Sequence, residues 1–224
     1  MGNEGAQTIN GSDANDLLTA GPGHQYVFAF MGDDTIYGGS AIVDPADGND
    51  SLFGGQGNDL IYANGGNDWV YAGSGQDTIF GGVHNDTLFG GNDITDTTDG
   101  ADNLSGGDGS DSIYGNAGND SLFGNDGSDQ IFGGVGADYI YGGNAASSLG
   151  DGADFIIAGS GGDTVFGDQG DDSIFGGNSI TDSFDGNDSI TSGAGNDIIY
   201  GNGGRDTIDA GQGTDVIYGG LGND

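Results

Sequence analysis

Twenty aspartates stand in this 224-residue chain at a spacing suited to holding hard cations. Eleven form one series: Asp16, Asp34, Asp59, Asp77, Asp102, Asp120, Asp138, Asp163, Asp188, Asp206 and Asp224. Nine form a second, interleaved series: Asp50, Asp68, Asp86, Asp111, Asp129, Asp154, Asp172, Asp197 and Asp215. Gln7 and Gln25 hold the first two places of the second series. Members of the combined set are nine residues apart, except for four steps of sixteen. If alternate copies stack, carboxylates of one series lie about 5 Å apart. Unneutralised, they repel; a divalent cation between them turns that repulsion into ligation. Calcium takes six to eight oxygens, from carboxylates and backbone carbonyls. Magnesium demands a stricter octahedron and keeps its waters. Zinc and copper want His or Cys, and this chain has two His and no Cys. An EF-hand is excluded, because its twelfth-position glutamate is missing: the sole glutamate is Glu4.

The composition supports that chemistry. With 36 acidic residues and one glutamate, 36 − 1 = 35 are aspartate, set among 53 glycines. Short carboxylates beside glycine suit tight turns, whereas a merely solvating face would mix in glutamate, the better helix former. The formal charge is −35 with Arg205 the single basic residue. Without counter-ions such a chain is expected to be disordered. Nucleic acid and anionic membranes are excluded as partners by the same charge. No disulfide can form, and no apolar run is long enough to span a membrane. The first ten residues, MGNEGAQTIN, lack the basic and apolar regions of an ordinary signal peptide.

The elements that position the aspartates follow from the repeat itself. Numbering each copy so that the aspartate is position 6, twenty-two copies run in register from Gln7 to Asp224 with no residue left over. The arrangement reads as one domain over residues 1–224, with no linker. Positions 1–6 are rich in Gly, Asn and Asp, which predicts a turn with positive φ angles. Positions 7–9 alternate around one apolar residue, such as Ile36, Leu52, Ile61, Val70 or Ile113. That pattern predicts a three-residue strand with one side chain pointing inward. Two copies make an 18-residue coil, and eleven coils stack into an all-β parallel solenoid about 5 nm long. One core side chain per nine residues cannot offset the cost of ordering the chain, so ion binding at the turns must supply the rest.

The phrase G-G-x-G-x-D-x-U-x, where U is apolar, stands nearly intact as GGQGNDLIY at 54–62, GGVGADYIY at 133–141 and GQGTDVIY at 211–218. It resembles the RTX (hemolysin-type) calcium-binding nonapeptide repeat. The resemblance covers essentially the whole chain. It implies a parallel β-roll with Ca²⁺ between successive turns on both edges. It also implies export of the unfolded chain by type I secretion, with folding outside on meeting calcium. It implies no particular activity, because such repeats are appended to toxins, proteases, lipases, epimerases, adhesins and surface-layer proteins.

Departures from the pattern carry further expectations. Four copies are lengthened by seven residues and end in D-G-x-D, beginning at Asp47, Asp99, Asp151 and Asp185. They read either as tolerated edge loops, or as sites where those four aspartates join the local ion or the loops make lateral contacts. Position 9 is aromatic in 15 of 21 complete copies. It reads as a stacked ladder covering the strands, or as a stripe offered to a neighbouring rod. His24, His84 and Arg205 read as turn residues, with no partner for a catalytic role.

Counting gaps between rungs gives ten on the first edge and eight on the second, hence about 18 calcium ions. Two functions fit. One is a secreted, non-enzymatic structural protein that folds on calcium and self-assembles head-to-tail, and possibly laterally, into filaments or a surface layer. The alternative is a passive folding and secretion module of a larger exported toxin, enzyme or adhesin. The last copy, GGLGND at 219–224, keeps its ligand half without its strand half, which reads as a joint or as a cut.

Overall fold

One apolar residue per copy, at position 8, decides the architecture. In a computed structural model, residues 7–39, 47–92, 99–144, 150–178 and 185–224 are described. There the position-8 side chains from Val27 to Ile199 are fully or almost fully buried in one continuous cluster. Twenty-one strands carry them, and among the described residues there is no helix. Odd-numbered strands form an eleven-stranded sheet and even-numbered strands a ten-stranded sheet, each in chain order. Every pairing is parallel and places position 8 over position 8, as in Leu52↔Val70 and Ile113↔Ile131. Pairing is continuous from β1 (Gln7–Asn10) to β21 (Val216–Tyr218). The molecule is a parallel β-roll.

The strands are longer than their apolar centres suggest. β5 (Ser51–Gln56) and β6 (Leu60–Gly65) run from position 7 through position 3 of the next copy. Only positions 4–6 are turn, so half of the Gly-rich segment belongs to the sheets. Position 2 permits this. Gly55 and Gly73 adopt φ of 123° and 119° yet pair with each other. A Cβ on Gly73 would collide with the Gly55 carbonyl oxygen. The backbone therefore bends at position 2 and still pairs, because nothing projects between the coils.

Four of the eight three-residue strands share one setting: β4 (Thr35–Tyr37), β9 (Thr87–Phe89), β14 (Tyr139–Tyr141) and β17 (Ser173–Phe175). Each immediately precedes a lengthened copy. Residues 40–46, 93–98, 145–149 and 179–184 of those copies lie outside the described residues, and the expected lateral contacts of the loops fall there.

Position 9 forms the ladder. On the odd sheet Phe28, Phe53, Tyr71, Phe89, Tyr114 and Phe132 stack nearly parallel, with ring centroids 4.4–5.8 Å apart. On the even sheet Tyr37, Tyr62 and Phe80 form one stack and Phe123, Tyr141 and Phe166 another. Ser105 pairs with Phe80 below and Phe123 above, and separates the two stacks. Offset stacking of this kind adds to the area buried.

Candidate metal centre

The tight turn at positions 4–6 brings each position-6 carboxylate under the next coil. In the first series the backbone N–H of each aspartate donates to the Oδ1 of the aspartate one coil on. The chain of bonds runs from Asp16→Asp34 through Asp206→Asp224, at 2.7–3.1 Å. In the second series it runs from Gln25→Asp50 to Asp197→Asp215 over the same range. The two sets of aspartates from the sequence thus become two straight rails, one along each edge of the roll. Gln7 is exposed at the start of the second rail. Gln25 is buried and donates its amide to the Pro22 carbonyl.

The second carboxylate oxygen sets the chemistry. In seventeen rail aspartates, from Asp34 to Asp206, Oδ2 is buried with no hydrogen-bond partner. A buried carboxylate oxygen in that state needs a proton or a cation. Burial, reinforced by neighbouring rail carboxylates and partly offset by the backbone N–H bond, pushes Asp86 and Asp154 up to about 9 and Asp68 up to about 8. The outermost residues differ. Asp16 and Asp215 are half-buried and Asp224 is exposed.

Among the described residues no three acidic or histidine side chains converge as a ready-made metal cluster. A cation lying between rungs must therefore complete its shell with backbone carbonyls. Those carbonyls are close by. At position 1, the space a Cβ on Gly81 would fill is bounded by both Asp86 Oδ2 and the Gly106 carbonyl oxygen of the next coil, and Gly54 is set the same way between Asp59 Oδ2 and the Ala72 carbonyl oxygen. Carboxylate and carbonyl oxygens in a glycine-lined turn suit calcium's oxygen-only, irregular coordination. Residues 16–224 of the rails thus offer a donor set that fits this ion.

Lengthened copies are built differently. Gly39, Gly91, Gly143 and Gly177 hold position 2 there without the positive φ of their counterparts. Each is covered instead by the carboxylate of Asp47, Asp99, Asp151 or Asp185, which occupies the space of a Cβ. All four aspartates add to the upward push on nearby rail carboxyls, as Asp99 does for Asp77 and Asp102.

Two sets of asparagines escaped the sequence reading, which treated Asn as turn filler. At position 5, the side-chain oxygen accepts the position-5 N–H of the next coil, as in Asn67→Asn49, Asn85→Asn67 and Gln76→Asn58. This outer rail runs opposite in sense to the aspartate rail. Recurrence of Asn just before Asp was the available signal. His24 stands at position 5 and takes the same role, its Nδ1 accepting the Asn49 N–H at 3.0 Å. His84 stands at position 4 with φ of 79°, where glycine is usual. Arg205 is a further position-5 residue, its N–H donating to Asn187 Oδ1. At position 2, Asn64, Asn116, Asn125 and Asn202 adopt positive φ, a conformation Asn tolerates better than most residues.

A family model described as the RTX calcium-binding nonapeptide repeat (four copies) matches the chain in nine overlapping or adjoining segments. They are residues 1–29, 26–41, 46–79, 64–94, 96–131, 117–147, 148–179, 182–217 and 198–224. No curated protein matches the chain.

Proposed function

The chain belongs to the RTX calcium-binding nonapeptide-repeat family, and from that premise we propose that it is an extracellular structural protein. It folds on meeting calcium and assembles head-to-tail. Calcium binding is the family's property; the buried Oδ2 row is what supports placing the ions on the rails. The first rail has ten Asp–Asp steps. The second has nine steps, of which the Gln25–Asp50 step lacks one carboxylate, leaving eight. Ten plus eight gives about 18 ions, +36 against the formal −35 of the chain. Such compensation is what lets so acidic a chain compact.

The end coils support the assembly reading. Val216, Ile217, Tyr218 and Leu221 are 44–62% exposed at one end, and Leu17 is 71% exposed at the other. Among the described strands β1 and β21 are the outermost of their sheet, and a sheet edge offers backbone groups for pairing. Stacking one end on the other would continue both sheets and pair those groups. His24 and His84 serve the turn backbone, which favours a non-catalytic role. No helix among the described residues is long and apolar enough to cross a membrane. A module's affinity in the range of about 10⁻⁴–10⁻³ M would suit calcium outside the cell.

A second reading rests on the first rail, which stays bonded up to Asp224 through the Asp206 N–H. Further coils of a longer exported polypeptide could continue it, and the chain would then be a passive folding module. Sedimentation velocity and electron microscopy in millimolar calcium and in chelator test assembly. Calcium-dependent growth into filaments supports the first reading. A stable monomer at high concentration in saturating calcium sinks it and favours the second.

A further inference from the structure

The four lengthened copies interrupt the ladder at the same place. In a regular coil the position-3 N–H donates to the position-2 carbonyl of the coil below, as Leu221 N–H does to the Asn202 carbonyl. At the third and fourth lengthened copies, where the chain leaves the sheet after position 2, that bond is replaced. Gln169 N–H donates to Asp151 Oδ2, and Gly203 N–H to Asp185 Oδ2, each at 2.9 Å. The position-2 carbonyl of the lengthened copy then needs a new donor, and the residue 25 places later supplies it. Asn64 Nδ2 donates to the Gly39 carbonyl at 3.1 Å, Asn116 to Gly91 at 2.7 Å and Asn202 to Gly177 at 2.6 Å. In all three, 39 + 25, 91 + 25 and 177 + 25, the donor is asparagine at position 2.

The third junction breaks the rule: 143 + 25 is Asp168. It has the same left-handed backbone, φ 74°, as Asn116. We infer that Asn64, Asn116 and Asn202 are amide latches that close the roll across three of the insertions, and that the third junction, with Asp168 in place of the latch, is the seam where the folded roll opens first. The inference rests on the β-roll itself and not on head-to-tail assembly.

The chemistry of the two side chains differs by one group. Both tolerate positive φ. Asparagine offers two N–H donors, whereas an ionised aspartate offers none. Asp168 Oδ2 is buried without a hydrogen-bond partner. Its carboxylate also bears on that of Asp151, so the junction gathers negative charge where its siblings make a bond.

Asp168→Asn tests the seam with an isosteric change. It should install the missing latch. At half-saturating calcium the folded-to-unfolded ratio should rise about 3- to 10-fold, the range of one buried hydrogen bond. At saturating calcium, amide exchange at residues 164–169 should slow, while exchange at residues 60–65, already latched by Asn64, stays unchanged. The reverse change, Asn202→Asp, should speed exchange at residues 198–203 and lower the folded fraction. A higher calcium requirement for Asp168→Asn would mean that the carboxylate serves as a ligand, and would overturn the inference. Unchanged exchange at 164–169 would overturn it equally.

Discussion

Asp86 and Asp16 occupy the same position of the same repeat, yet their surroundings ask for different things. Asp86 lies in the middle of its rail, 2% exposed, and its Oδ2 has no hydrogen-bond partner. Asp16 lies in the first coil, where Oδ2 accepts both the N–H and the hydroxyl of Ser12, at 2.6 and 2.9 Å. A carboxylate at the end of the stack is satisfied by its own turn and by water. One with coils on both sides is cut off from water and depends on a cation or a proton. Depth in the stack, and not residue type, decides which aspartates couple ion binding to folding.

The strongest test removes the counter-ions. In chelator the interior aspartates must either ionise unpaired or take up protons. Their folded values lie above the ordinary carboxylate value of 3.8: about 6 for Asp59 and Asp163, about 8 for Asp102 and about 9 for Asp154. A folded value raised above the unfolded one gives stability that is fully present below about pH 4 and lost as pH rises through about 6–9. The ion-free chain should therefore show β circular dichroism near pH 4 and lose it by about pH 9. With calcium present the dependence should reverse, because ionised carboxylates bind the ion. β signal in chelator that rises with pH would break the comparison at its base.

Single substitutions come next. Asp86→Ala strips a rung from a buried rail and leaves the Asp68 N–H without its acceptor. The calcium concentration for half-folding should rise about tenfold or more. Asp16→Ala should change it less than about twofold. Equal effects in a calcium titration would show that depth does not matter.

The aromatic ladder offers a milder version. Phe89 stacks on Tyr71 at 4.4 Å and on Tyr114 at 4.6 Å. Tyr218 stacks only on Tyr200 and is 52% exposed. Phe89→Ala should cost about 1–2 kcal/mol in calcium-saturated denaturant unfolding, and Tyr218→Ala under about 1 kcal/mol. The smallest effect on folding belongs to Leu17→Asp with Leu221→Asp. Half-folding should move less than about twofold, while calcium-dependent sedimentation of large species is lost. If large species persist in that double variant, the end coils are not the joint.

Much of this was legible in the sequence because the repeat never loses register. Position 8 alone gave the strands and their parallel order, and position 6 gave the two rails with their members. The extent of the strands was not legible. Glycine at position 2 signals a positive φ, and nothing in the pattern says that a residue bent in that way still pairs, as Gly55 does with Gly73. The asparagines were equally opaque. Asn58 and Asn64 look alike as turn residues, yet Asn58 accepts a bond from the coil above and Asn64 donates to the coil below. Their partners lie 18 and 25 residues away, beyond any local rule.

The sequence by itself determined the period, the charge and hence the need for a divalent, oxygen-seeking ion. These follow from residue types and counts, which do not depend on neighbours in space. Only the tertiary structure decided which aspartates are deprived of water, which glycines are held by φ and which by a carboxylate overhead, and which insertion lacks its latch. Each of these depends on what lies one coil away, and stacking is what brings that neighbour within hydrogen-bonding distance.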